Sequence, residues 1–241
     1  LPKSVRNEIP AHAPIPHESV ILDNGKRSST MGSAFSLSND GVWLTARHVA
    51  EGCDTTWIQI APKKALKVRR TILHPRADVA VLKTNGGPAG LALSDAQPRS
   101  GSDAFMIGFP KGTPGAVNGR YLGEITMRHR GRNGYRERVN VWSEISRIPG
   151  RFGSLGGLSG GAVFDDSVHI IGVVEAESRR RGRIMTAKPK TMREILKRAK
   201  VNVKSGESAG GGFSRNTYPK AARHLIITLR IARVVCRINA F

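Results

Sequence analysis

From about residue 20 onward the chain alternates short apolar runs with turn residues, and the runs are too short for helices of ordinary length. The pattern predicts strands at Ser19–Leu22, Gly32–Leu37, Val42–Ala46, Thr56–Ile60, Val68–Ile72 and Val79–Lys83. A stretch rich in Gly, Pro, Ser and Asp, Asn85–Asp103, then breaks the rhythm and reads as a link between two lobes. A second set follows at Ala104–Ile107, Arg120–Met127, Val139–Ile145, Ala162–Phe164, His169–Glu175 and Arg183–Ala187. Lys190–Lys200 changes period, with Met192, Ile195, Leu196 and Ala199 on one helical face and Pro189 at its start. The expected fold is all-β, with two six-stranded antiparallel β-barrels and a C-terminal helix. The barrels should span about 19–94 and 104–188, and the helix 190–200.

The two ends break this pattern. Residues 1–18 hold four prolines and no hydrophobic period, which predicts an irregular arm. Residues 204–241 read as a Gly/Ser linker followed by a basic tail. Projected on a helix, Arg223, Arg230, Arg233 and Arg237 fall within an arc of about 80°. That describes a basic amphipathic segment that lies on an anionic membrane or wraps a partner, with a packed terminal helix or an unstructured tail as alternatives.

Charge adds an attraction to polyanions and anionic surfaces, since 39 Lys and Arg face 18 Asp and Glu, a net of +21. The excess runs along the whole chain and accompanies no nucleic-acid-binding signature, so specific nucleic-acid recognition is not expected. Cys53 and Cys236 form no framework, and their pairing is open. The seven histidines show no ligand spacing, so neither a metal site nor a cofactor is expected. No charged-then-apolar leader is visible, and no apolar run is long enough to cross a bilayer.

The chemistry lies in three motifs. Thr45-Ala46-Arg47-His48 ends an apolar strand, Asp78 enters the strand Val79-Ala80-Val81-Leu82, and Ser159 sits in Gly157-Leu158-Ser159-Gly160-Gly161. A serine hydroxyl becomes a nucleophile when a neighbouring base takes its proton, and histidine suits that task near neutral pH. A buried carboxylate fixes the imidazole tautomer and stabilises the imidazolium. His48, Asp78 and Ser159 are the candidate catalytic residues. The glycines let the backbone turn tightly around Ser159, so that the N–H groups of Gly157 and Ser159 can form an oxyanion hole. The chain order His, Asp, Ser excludes an α/β-hydrolase, in which serine comes first.

These motifs, with Gly-Ser-Ala-Phe at 32–35 and Ile-Gly-Phe-Pro at 107–110, resemble the chymotrypsin/trypsin-like serine proteases over about residues 20–200. The likeness is greatest to their bacterial branch, which includes the high-temperature-requirement proteases. It implies a serine endopeptidase working through an acyl-enzyme on a protein or peptide substrate. It also implies a chymotrypsin-like double barrel, the lobe boundary between Asp78 and Ser159, and an exported location. By alignment to that family, the substrate pocket has its base near Gly153 and its wall at Val173, Val174 and Glu175. No acid lies at the base, which points to a small or apolar preferred side chain, although Glu175 and Glu177 would attract a basic one. Leu158 replaces the aspartate that receives a new N-terminus in animal members, so activation by N-terminal insertion is not expected. No peptide-binding module is expected within the residues after Val203. Two other readings compete: a protease-like binding module, and a polyanion- or membrane-surface-binding protein with little catalysis.

Overall fold

A computed structural model describes residues 21–23, 30–130, 134–150, 153–203 and 212–238. The arm expected at 1–18 and nearly all of the linker lie outside them. The first half contains β1 (Ile21–Asp23), β2 (Thr30–Ser38), β3 (Val42–Thr45), the single turn α1 (Arg47–Ala50), β4 (Thr55–Ala61), β5 (Lys64–Lys67), β6 (Arg70–Leu73) and β7 (Ala80–Lys83). The second contains β8 (Asp103–Gly108), β9 (Gly115–Arg130), β10 (Tyr135–Ile148), β11 (Ala162–Phe164), β12 (Ile170–Ser178) and β13 (Arg183–Thr186). Then come α2 (Pro189–Arg198), α3 (Tyr218–Ile227) and β14 (Ile231–Arg237).

Two seven-stranded sheets result. One runs β1-β9-β10-β13-β12-β11-β8, and a further β8–β9 ladder closes six of those strands into a barrel. β1 adds to it as a parallel strand, with Ile21 opposite Arg128. The strand expected to open the first barrel therefore pairs with the second. The other sheet, β5-β4-β14-β2-β3-β7-β6, remains an open half-barrel. The fold is chymotrypsin-like as expected, but the strand count differs because residues from both ends are recruited into sheets.

The tail is the main correction. Ile231–Arg237 forms neither a free tail nor a helix; it lies between β2 and β4, antiparallel to both. Ala232, Val234 and Cys236 are buried, while Arg233, Val235 and Arg237 alternate with them toward solvent. That period of two, in a segment with Ile231, Val234 and Val235, is a strand signal. The helical projection fails because it runs across the break at Leu229, where φ is +60°. Two of the four arginines are engaged in the fold: Arg233 donates to Gln59 Oε1 (2.5 Å) and Gly112 O (3.2 Å), and Arg230 donates to Gly90 O (3.3 Å). No helix among the described residues is long and apolar enough to cross a membrane.

One core joins these parts. Phe35, Leu44 and Val81 of the open sheet meet Phe105, Phe164 and Ile170 of the barrel, together with Met192, Ile195 and Leu196 of α2. Phe213, Tyr218, Leu225 and Ile231 complete it, and the Phe213 ring packs edge-on to Phe105 and Phe164 at 5.5 and 5.2 Å. The helical face read from Met192, Ile195 and Leu196 is the buried one. Cys53 and Cys236 pair across 183 residues, tying the loop after α1 to β14. A crosslink closing so long a loop restricts the unfolded chain strongly, and its removal in a Cys53→Ala/Cys236→Ala variant should cost about 2–5 kcal/mol. Chemical denaturation of the two proteins checks this; equal midpoints would show the bond to be idle.

Candidate active site

The site forms where the open sheet meets the barrel. β3 delivers the chain to Ala46, whose extended backbone (φ −72°, ψ 143°) starts the one-turn α1 and with it His48. Asp78 arrives just before β7, the strand paired directly with β3. Its carboxylate accepts from His48 twice: Oδ1 from the backbone N–H at 2.8 Å, and Oδ2 at 2.6 Å from Nδ1. The Asp78 side chain is fully buried and that of His48 is 27% exposed, so one edge of the imidazole remains accessible. Burial disfavours the imidazolium, but the charge and hydrogen bond of Asp78 outweigh it, and His48 titrates above the ordinary 6.5.

Arg47, next to His48, is buried (7%). Its guanidinium donates to His74 O (2.9 Å) and Pro75 O (3.3 Å), pairs with Glu51 (2.5 Å), and lies over the Tyr135 ring at 5.1 Å. It thereby clamps the loop that carries Asp78 to the turn that carries His48. The Arg47 N–H adds a further tie to Asp78 O (3.1 Å).

Ser159 comes from the loop before β11, and its backbone is fastened to the other sheet. Ser33 N donates to Ser159 O (2.8 Å), and Ser33 Oγ bridges Gly157 O and Phe109 N, both at 2.8 Å. Two glycines are required here. A Cβ on Gly160 (φ +83°) would stand 2.0 Å from Ser33 O and 2.3 Å from Thr45 Oγ1. One on Gly32 would stand 2.6 Å from the methyls of Val49 and 3.0 Å from Ser159 O. Gly32 is thus the spacer between the turn bearing His48 and the loop bearing Ser159.

Ser159 Oγ donates weakly to Glu175 O at 3.4 Å and makes no hydrogen bond to His48. Among the described residues, the N–H groups of Gly157 and Ser159 have no protein acceptor. Gly156 O is held by Lys111 N–H (2.5 Å), which fixes the peptide leading into Gly157.

The expected pocket residues separate. Gly153 is exposed, whereas Val173, Val174 and Glu175 are 0%, 3% and 1% exposed. Both valine side chains belong to the core and cannot form a pocket wall. Val174 acts through its backbone, since its O accepts from Gly160 N (2.7 Å) and its N donates to Gly161 O (2.9 Å). Glu175 cannot greet a basic substrate residue either. It is the extra residue of a bulge between Val174 and Ala176, and its carboxylate is gathered with Glu137 and His129 inside the protein. Burial, then the charges of Glu137 and Asp78, push that carboxyl well above the usual range. Glu177 braces the neighbouring loop instead, accepting from Leu155 N (2.9 Å) and Ser154 Oγ (3.3 Å).

The sequence reading missed Glu137, whose Oε2 accepts the Asp78 backbone N–H at 2.7 Å. A signal was present. Tyr135, Glu137 and Val139 share one face of an alternating strand, as do Ile125, Met127 and His129 of its partner. A charged residue on an apolar face marks a buried polar group.

The family model described as a trypsin-like peptidase domain matches residues 32–173, more than half of the chain. A Pseudomonas fluorescens protein described as a probable periplasmic serine endoprotease, DegP-like, is 34% identical over 92 residues, 37% of this chain and 19% of its own length. A Brucella suis protein of the same description is 27% identical over 154 residues, covering 61% of this chain and 28% of that one. The chain thus spans under a third of either relative. Among solved structures, the active form of the Rv3671c protease of M. tuberculosis superposes with a TM-score of 0.60 at 20% identity, covering 75% of this chain and 77% of that one. The HtrA-type protease AlgW bound to a decapeptide gives 0.55 at 23%, covering 69% and 50%.

Proposed function

The chain belongs to the trypsin-like peptidase family, on its bacterial HtrA-like side, and from that premise we propose that it is a serine endopeptidase cleaving protein or peptide substrates through an acyl-enzyme. The observation that carries this reading is the pair of hydrogen bonds from His48 to the fully buried Asp78 carboxylate. An Nδ1–H pointed at Asp78 leaves Nε2 unprotonated as the base.

In this mechanism Ser159 Oγ swings from Glu175 O toward His48 Nε2, gives up its proton and attacks the substrate carbonyl carbon. The carbonyl oxygen becomes an oxyanion held by the N–H groups of Gly157 and Ser159, which have no other acceptor among the described residues. His48 then hands its proton to the leaving amine, the C–N bond breaks and the acyl group stays on Ser159. A water, deprotonated by His48, releases it. Asp78 keeps its hydrogen bond to Nδ1 and stabilises the imidazolium.

A fluorescent fluorophosphonate tests the assignment, because it marks only a serine made nucleophilic by its surroundings. The wild type should label, and Ser159→Ala and His48→Ala should not. A folded wild type that stays dark would instead favour a protease-like binding module. With labelling established, the pH profile reports on His48. Activity requires the neutral imidazole and Asp78 raises its pKa, so kcat/KM should climb with pH through an apparent pKa above 6.5 and then level off. A midpoint at or below 6.5 would contradict the hydrogen-bonded pair.

A further inference from the structure

Directly behind Asp78, three side chains from three strands converge: His129 of β9, Glu137 of β10 and Glu175 of β12. One ligand atom from each lies within 4.8 Å of the others. All three residues are buried, with side-chain exposures of 1% for His129 and 2% for Glu137, and Glu175 is 1% exposed as a residue. Among the described residues, both ring nitrogens of His129, Glu137 Oε1 and both carboxylate oxygens of Glu175 make no hydrogen bond, and His129 Nε2 has only an ion-pair approach to Glu137 Oε2 at 3.5 Å. The Tyr135 hydroxyl, on a ring stacked 4.2 Å from His129, has none among them either. A buried polar atom left unpaired costs about 1–3 kcal/mol, so such a concentration in one place needs a reason.

We propose that His129, Glu137 and Glu175 bind a divalent first-row transition cation of the Zn²⁺ class, which braces the His48–Asp78 pair from behind. The donor set is one imidazole and two carboxylates, a combination used for zinc and its neighbours. One separation fits as well. Ligands at about 2.0–2.1 Å in a tetrahedron stand about 3.4 Å apart, and His129 Nε2 and Glu137 Oε2 are 3.5 Å apart. That separation is long for a hydrogen bond but suits two atoms sharing one ion.

Charge points the same way. Asp78, Glu137 and Glu175 lie together in the interior, and Arg47 is committed to Glu51 and to the carbonyls of His74 and Pro75. A single proton shared by the two glutamates would still leave His129 Nδ1 without a partner among the described residues. A dication would satisfy an atom of each residue at once and offset the carboxylates. It would reach the centre of the molecule through Glu137, which holds the Asp78 N–H. Because the site is buried, the ion would enter as the protein folds and be retained afterwards.

The test is metal content, which does not depend on proteolysis. The full chain, free of any polyhistidine tag, is produced with added Zn²⁺, dialysed, and assayed by inductively coupled plasma mass spectrometry. It is also refolded with Co²⁺ and examined by visible absorption. The expected result is about one metal per chain and the intense ligand-field bands of low-coordinate Co²⁺. His129→Gln and Glu175→Gln should lower retained metal at least about tenfold, whereas His169→Ala, on the surface, should leave it unchanged. Metal-free wild type from both preparations would overturn the proposal and leave the cluster holding a proton. Metal that persists in His129→Gln would overturn it by placing the ion elsewhere. If neither cluster variant folds, X-ray absorption of the wild-type metal decides, since a shell without imidazole scattering rules out His129.

Discussion

A chain ending at Val203 should give no folded protein, although residues 32–173 are the part the family model recognises. The loss is that of an interior strand. Ile231–Arg237 pairs with β2 on one side and β4 on the other, so its absence leaves two facing rows of unpaired backbone groups inside the open sheet. The apolar loss is also large. Phe213, Tyr218, Leu225, Ile231 and Val234 are each at most 5% exposed, and burial of such side chains is worth about 1.5–3 kcal/mol apiece. Five of them rival the about 5–15 kcal/mol that holds a typical domain together. Cys53 also loses its partner. Expression of residues 1–203 should therefore yield insoluble or molten material by circular dichroism. A soluble product melting with the full chain's cooperativity would show that the tail is dispensable.

Ser159→Ala should lower kcat on a protein substrate by a factor on the order of 10⁶ while leaving thermal stability within about 1 kcal/mol of wild type. The stability half follows from the single weak 3.4 Å contact of the hydroxyl, set against a loop held by backbone bonds that alanine keeps. The rate half follows from cooperation: without the nucleophile, the base and the buried aspartate have nothing to activate. His48→Ala should cost about as much, and the double variant no more than either alone. Asp78→Asn should lose about 10⁴, since the amide favours the wrong imidazole tautomer. Losses that multiplied in the double variant would show that the two residues act separately.

Much of this architecture is legible in the sequence because its signals are local. Each of the twelve strands read from short apolar runs has a counterpart, from β1 at Ile21–Asp23 to β13 around Met185. The α2 face follows from the spacing of Met192, Ile195 and Leu196 alone. What escaped is set by distant partners. The residues of β14 carry a strand period, but its arginines dominate a helical projection, and only β2 and β4 show where it belongs. Val173 and Val174 were placed on a pocket wall by likeness to a family, yet their side chains fill the core and the backbone does the positioning. Glu137 and His129 sat on apolar faces as visible anomalies. Their convergence with Glu175, 38 residues beyond Glu137, required the closed barrel.

The interior position of β14 also orders events during synthesis. The sheet that carries His48 and Asp78 cannot close around its middle until residue 237 has emerged from the ribosome, whereas the six strands that shape the Ser159 loop are complete by residue 186. Nascent domains otherwise tend to form in chain order. Here the half encoded first is finished last, so a hydrolytic site of this design would assemble only once residue 237 has been translated. A stalled or prematurely terminated product would carry all three site residues and no working cleft.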